Sequence, residues 1–88
     1  MKTTFGEMVR HHRSRSGLTL RAAAGLAGLS PGYWSRIEND KASPGISAAI
    51  SIAIALGIDP DTTIVAAGFE PVESLRVSAA ISRLMESS

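Results

Sequence analysis

Apolar residues recur along the chain at three- and four-residue spacing, and the runs break at glycine, proline and small polar residues. Phe5, Met8 and Val9 share one helical face. Thr3 or Thr4 ahead of them supplies an N-cap, and Ser16-Gly17 supplies a left-handed stop. Thr19 caps a second helix carrying Leu20, Ala23, Ala24 and Ala27, which Gly28 ends. Ser30 caps a third, with Pro31 in the first turn, where a missing N–H costs nothing. That helix turns Trp34 and Ile37 inward and ends near Asn39-Asp40, and residues 41–45 read as a loop. A fourth helix runs from Ile46 to Leu56 and stops at Gly57. A short fifth starts at Asp59-Pro60, passes through Ile64, Val65 and Ala67, and closes at Gly68. Pro71 opens a last helix reaching about Met85, with Val72, Leu75, Val77, Ile81 and Leu84 as its apolar members. No segment reads as a strand, and there is no internal repeat, low-complexity tract or long linker. The pattern predicts an all-α chain.

Eighty-eight residues suffice for one core but not for two. A hydrophobic content of 44% argues for a folded chain, and an aromatic content of 5% leaves the core mainly to Ile, Leu, Val and Ala. The absence of cysteine removes disulfides, thiol chemistry and Cys-ligated metals, and it suits a reducing cytoplasm. Residues 1–15 carry Lys2, Arg10, Arg13 and Arg15 without an apolar stretch behind them, so no signal peptide is expected. The longest apolar run, Ile46 to Ile58, contains serines and is too short to span a bilayer, so no membrane partner is expected.

The net charge of +1 says little until it is divided. From Met1 to Lys41, seven basic residues stand against Glu7, Glu38 and Asp40, which gives 7 − 3 = +4. From Ala42 to Ser88, Arg76 and Arg83 face five carboxylates, which gives 2 − 5 = −3. The first half attracts a polyanion and the second repels one. An ordinary solvated surface accounts for the same numbers unless a motif stands beside them.

The second and third helices supply that motif. Where two short helices cross, a small residue lets the backbones approach, and Ala24 stands there. Four residues on, the turn needs a positive φ, which Gly28 adopts without strain. Leu29, Trp34 and Ile37 fall at the spacing that buries one face of the second member. Pro31, Gly32, Ser35, Arg36 and Asn39 are left on the other, the arrangement that enters a DNA major groove.

Residues 6–60 resemble the phage-repressor, Cro-like (xenobiotic-response-element) helix-turn-helix family. The matching landmarks are Gly6-Glu7, Arg10, Arg13, Gly17-Leu18-Thr19, Ala24, Gly28, Ser30, Ser35-Arg36-Ile37-Glu38, Pro44 and the run Ala53 to Ile58. The resemblance implies a compact five-helix lambda-repressor-like DNA-binding domain, expected over residues 1–68, and the apolar pattern adds a C-terminal helix in 69–88, past the family core. The resemblance also implies a homodimer on a two-fold symmetric operator in double-stranded DNA, hence a transcriptional regulator, expected to repress, in the cytoplasm and on the nucleoid when bound. Three positions depart from the family pattern. Leu20 replaces a glutamine that helps fix the second helix on a phosphate. Asp40 stands where glycine is preferred, and Gly32 removes a side chain from the leading edge of the reading helix.

Within that motif, Arg36 can donate bidentately to guanine O6 and N7 or hold a phosphate. Ser35 and Asn39 suit base edges, with Asn39 equally suited to cap the helix end. Ser30 is an N-cap whose end of the helix also lies near DNA, beside Pro31 and Gly32. Tyr33 offers a hydroxyl to a phosphate or packs on the first helix. The N–H groups behind Thr19, together with Arg21, Lys41 and Ser43, are expected to contact the DNA backbone, giving a steep salt dependence. Arg13 and Glu38 occupy positions that form an ion pair in the resembling family; the alternative is two unrelated surface charges.

Other chemistry finds little footing. His11 and His12 are adjacent and point about 100° apart on a helix, without a third ligand nearby, so no metal or cofactor is expected. No nucleophile has a base at recognisable spacing and no glycine loop follows a strand, so an enzyme is not expected. Ile46, Ile50, Ile52, Ile54 and Leu56 exceed what one face of the fourth helix needs. Val77, Ile81 and Leu84 add a second apolar stripe, expected to dimerise the chain, with folding back on its own domain as the alternative. The competing function is a protein-interaction module, antitoxin-like or a co-regulator, whose acidic half binds a protein partner. An RNA-binding role lacks the exposed aromatic pair that single strands stack on.

Overall fold

Thr4, Thr19, Ser30 and Asp59 each accept, through a side-chain oxygen, the backbone N–H three residues on, so four helices begin where the cap chemistry dictates. The computed structural model describes residues 3–69. Among them the order is α1 (Phe5–Arg15), α2 (Leu20–Ala27), α3 (Pro31–Glu38), α4 (Ile46–Leu56) and α5 (Pro60–Ala66). α4 starts behind Gly45 without a side-chain cap. The Asp59 carboxyl is held below its usual range by the backbone N–H and hydroxyl of Thr62. α5 ends one residue before the sequence suggests, with Ala67 as its C-cap and Gly68 at φ 101°.

The turn between α2 and α3 rests on Gly28, at φ 70°. With that residue left-handed, the Leu29 N–H reaches back to the Ala24 carbonyl at 2.9 Å. The chain then reverses within Gly28-Leu29-Ser30 and enters α3 directly.

The core is assembled from one stripe of each helix. Val9 of α1, Ala23 and Ala24 of α2, Trp34 and Ile37 of α3, and Ile52 and Leu56 of α4 form one buried cluster. α2 packs on α4 and on α3, α1 on α3, and α4 on α5. The alanines at 23, 24, 49 and 53 are all buried, and their small side chains permit close approach of α2 to α4. Trp34 is fully buried, a transfer worth on the order of 5 kcal/mol for about 200 Å² of ring. α4 is the exception to tidy burial. Ile52 and Leu56 point inward, Ile46 and Ile50 are half-buried, and Ile54 remains 70% exposed. The helix expected from Pro71, with Val77, Ile81 and Leu84, lies outside the described residues.

Candidate nucleic-acid interface

α3 is fixed from beneath. Its inner face buries Trp34, Ile37 and Glu38. The Glu38 carboxylate is the polar anchor: Arg13 Nε donates to Oε2 at 2.5 Å and Arg13 Nη2 to Oε1 at 3.0 Å. Trp34 Nε1 donates to Oε2 at 2.6 Å, and Arg10 Nε to Oε1 at 3.4 Å. Burial pushes the Glu38 pKa up, but the hydrogen bonds from Arg13 and Trp34 and the Arg13 charge outweigh it, so the group lies below its usual range. Arg13 also donates Nη1 to the Leu18 carbonyl at 3.0 Å, tying the α1–α2 loop to the same cluster. The Glu38 bond raises the Arg13 pKa further. α1 and α3 are thus joined by a charge cluster whose hydrogen bonds are made, the condition under which a buried carboxylate is tolerated.

A second tie joins the ends of the same helices. Asp40, just past α3, adopts φ 57°. Its Oδ2 accepts from Thr4 Oγ1 at 2.6 Å and its Oδ1 from the Gly6 N–H at 3.0 Å. The residue that tolerates a left-handed turn therefore also caps the first turn of α1.

The outer face of α3 carries the residues singled out in the sequence. At 100° per residue, Ser35, Asn39, Gly32 and Arg36 fall within an arc of about 100°, opposite Trp34 and Ile37. Ser30, Pro31, Gly32, Arg36 and Asn39 are exposed, and Tyr33 and Ser35 are half-buried. Thr19 and Arg21 lie exposed at the start of α2, and Lys41 and Ser43 in the loop after α3. The Arg36 guanidinium lies over the Tyr33 ring, 5.8 Å from its centroid. Asn39 is the α3 C-cap: Nδ2 donates to the Ser35 carbonyl at 2.8 Å, and Oδ1 accepts from Arg10 Nη2 at 3.1 Å. Ser30 and Thr19 spend their hydroxyl oxygens as N-caps. Leu20, the departure at the start of α2, is half-buried against the core.

The partners that sequence reasoning missed are Arg10 on Asn39, Asp40 on Thr4 and Gly6, and Trp34 on Glu38. The last was within reach, because Trp34 and Glu38 are four residues apart on one helix face. The first two connect distant positions and had no local signal. His11 and His12 meet edge to face with ring centroids 5.6 Å apart. Among the described residues no group of three or more His, Asp or Glu side chains could hold a metal, and no helix is long and apolar enough to cross a membrane.

A family model described as a helix-turn-helix domain matches residues 4–63. The chain belongs to that helix-turn-helix family. Its match takes in all of α1 to α4 and the first half of α5. Three solved structures of similar proteins carry related domains. The restriction-modification controller protein C.AhdI from Aeromonas hydrophila is 29% identical, with a TM-score of 0.64 over 67% of this chain and 89% of that one. The clp gene regulator ClgR from Corynebacterium glutamicum is 28% identical, with a TM-score of 0.64 over 94% of this chain and 84% of that one. The DNA-binding domain of the P22 C2 repressor shares the fold at 23% identity, with a TM-score of 0.68 over 73% of this chain and 86% of that one. A search of curated proteins gave no match. This helix-turn-helix domain therefore has the all-α fold of DNA-binding regulators, with α2 and α3 as its characteristic pair.

Proposed function

We propose that this protein is a sequence-specific regulator of transcription, a repressor, that reads double-stranded DNA by laying α3 in the major groove. One observation carries the reading: α3 is anchored on one face by Trp34, Ile37 and the buried Glu38 cluster, while its other face presents Gly32, Arg36 and Asn39 to solvent beside the half-buried Ser35. A rigid helix with polar groups turned outward suits base readout, since the cost of ordering the reader is met before DNA arrives. Arg36 and Ser35 lead the base readout in this scheme, with Pro31 and Gly32 at the leading edge, and Asn39, whose amide already caps α3 and accepts from Arg10, joins them only through its remaining hydrogen-bonding capacity. Ser30, Tyr33, Thr19, Arg21, Lys41 and Ser43 meet the sugar-phosphate backbone. The excess of +4 between Met1 and Lys41 supports the same side. That C.AhdI is a controller protein and ClgR a gene regulator supports a regulatory role over an enzymatic one.

In the same reading residues 1–68 bind DNA and residues 69–88 make a homodimer through Val77, Ile81 and Leu84, so that two copies meet a two-fold symmetric operator in the cytoplasm. Selection from random duplex DNA at moderate salt tests the scheme, and enrichment of a site with two-fold symmetry is the expected result. Ile81→Asp should halve the mass in solution; an unchanged mass would sink the dimer through that stripe.

One observation favours a second reading, a protein-interaction module. Leu26, Ile54 and Val65, one on each of α2, α4 and α5, are 65%, 70% and 45% exposed, and this module would join them into one apolar patch for a protein partner. A folded protein that enriches no duplex at any salt would support that module instead.

A further inference from the structure

We infer that Tyr33, Arg36 and Gly32 form one preassembled guanine reader on α3, in which Tyr33 is the positioning residue and Gly32 the space that the guanidinium needs. The inference rests on the DNA reading above and deepens it by choosing guanine over phosphate for Arg36 and by naming the residues that position the guanidinium.

The geometry is specific to these three residues. Arg36 points back toward the start of α3, with its guanidinium 5.8 Å from the centroid of the Tyr33 ring. A Cβ built on Gly32 would come within 3.7 Å of Arg36 Nη1, and nothing else would lie within 4 Å of it. A methyl at position 32 would sit in ordinary contact with the guanidinium, and only a longer side chain directed along α3 would compete with it for that volume. The Tyr33 ring is itself held, because it is half-buried and packed against the core. A fixed ring beneath an exposed arginine limits the rotamers that the arginine samples, and arginine is among the side chains with most rotamer freedom to lose. The planar fork that results lies on the exposed arc of the helix. Guanine offers the two major-groove acceptors, O6 and N7, that match such a fork, and no other base offers that pair. Gly32, which left the leading edge of the helix looking sparse in the sequence, is in this account what brings the arginine there.

The test uses the site that wild-type protein selects from random duplexes. Each guanine in that site is replaced singly by 7-deazaguanine, which lacks the N7 acceptor, and full-length variants are compared on both duplexes. Wild type should bind about tenfold or more weakly when one guanine per half-site is replaced. Arg36→Ala should be indifferent to that replacement. Tyr33→Leu keeps an apolar side chain on the core but offers no ring face; its discrimination should shrink by about two- to fivefold, whereas Tyr33→Phe should keep it. Gly32→Leu should fold at least as stably as wild type and lose the preference for guanine. A residue serving only the fold would lower binding to both duplexes equally. Equal losses for Tyr33→Leu, or full discrimination by Gly32→Leu, would overturn the inference while leaving the DNA reading intact. If wild type enriches no site, the DNA reading itself has failed and the guanine reader falls with it.

Discussion

Thr4 donates its hydroxyl to Asp40 at 2.6 Å, so the residue that caps the start of α1 is also bonded to the left-handed residue just past the end of α3. Thr4 Oγ1 at the same time accepts the Glu7 N–H at 3.1 Å, and Asp40 takes the Gly6 N–H. One carboxylate thereby serves the N-terminal end of α1 and fixes the exit of the proposed reading helix. The carboxylate near a helix N-terminus also meets the positive end of the dipole.

Substitutions at Asp40 separate its two roles. Asp40→Ala removes the cap and leaves a non-glycine residue at φ 57°, so it should cost about 1–2 kcal/mol in denaturant unfolding. Asp40→Gly removes the cap but also the backbone strain, and should lose less than the alanine variant. If the two variants were equally stable, the left-handed conformation would carry no cost.

The Glu38 cluster predicts a pH dependence with a definite sign. The folded-state pKa of Glu38 is lowered, so the folded protein binds its proton less readily than the unfolded chain. Its contribution is complete above the unfolded value, about pH 4.3, and is lost as pH falls through the folded value. Urea unfolding between pH 7 and pH 3 should therefore show stability falling at the acid end. Glu38→Gln should unfold about 2–3 kcal/mol more easily at pH 7, because it leaves the Arg13 charge partly buried without its counter-ion. The gap between the two proteins should narrow as the pH drops. A gap independent of pH would remove Glu38 from the titration.

Local chemistry made much of this architecture legible from the chain. Thr4, Thr19 and Ser30 are caps because the oxygen that satisfies each helix lies three residues before the N–H it accepts. Gly28 marks the turn because few other residues take φ 70° without strain. The inward face of α3 follows from the spacing of Trp34 and Ile37. What escaped sequence reading is carried by long-range pairs: Arg10 reaches Asn39 across 29 positions and Thr4 reaches Asp40 across 36. No periodicity encodes such contacts. The exposure of Leu26 escaped for another reason, since an apolar residue at helical spacing has no obligation to be buried, whereas the exposed Ile54 belongs to the apolar surplus already visible along α4. Leu20, which counts both as an apolar member of the second helix and as the loss of a polar side chain, packs against the core.

Two glycines in helices should respond oppositely to alanine. A Cβ on Gly6 would fall 2.6 Å from the Glu38 carbonyl oxygen and 2.8 Å from Asp40 Oδ1, and would also meet the Ile37 carbonyl. Two of these neighbours are backbone, so α1 and α3 would have to separate. Gly6→Ala should cost about 1–3 kcal/mol. Gly25, within α2, has nothing within 4 Å of an added methyl. Gly25→Ala should stabilise the protein by about 0.5–1 kcal/mol through helix propensity and a less flexible unfolded chain. Thermal or urea unfolding of both variants checks the pair, and a tolerated alanine at position 6 would contradict the close approach of α1 to α3.

Ile54 provides the last prediction, because its exposure makes its fate depend on what else is present. At 70% exposure within a single chain it contributes little burial, so Ile54→Lys should change the stability of the isolated monomer by no more than about 0.5 kcal/mol. Burial by a second copy would change that result in a recognisable way. Association stabilises by mass action, so any cost of the lysine would then grow with protein concentration. Unfolding of wild type and variant at two concentrations a hundredfold apart separates the cases. A dimer resting on Val77, Ile81 and Leu84 alone should leave the cost small at both. A penalty that appears only at the higher concentration would move the interface onto the outer face of α4.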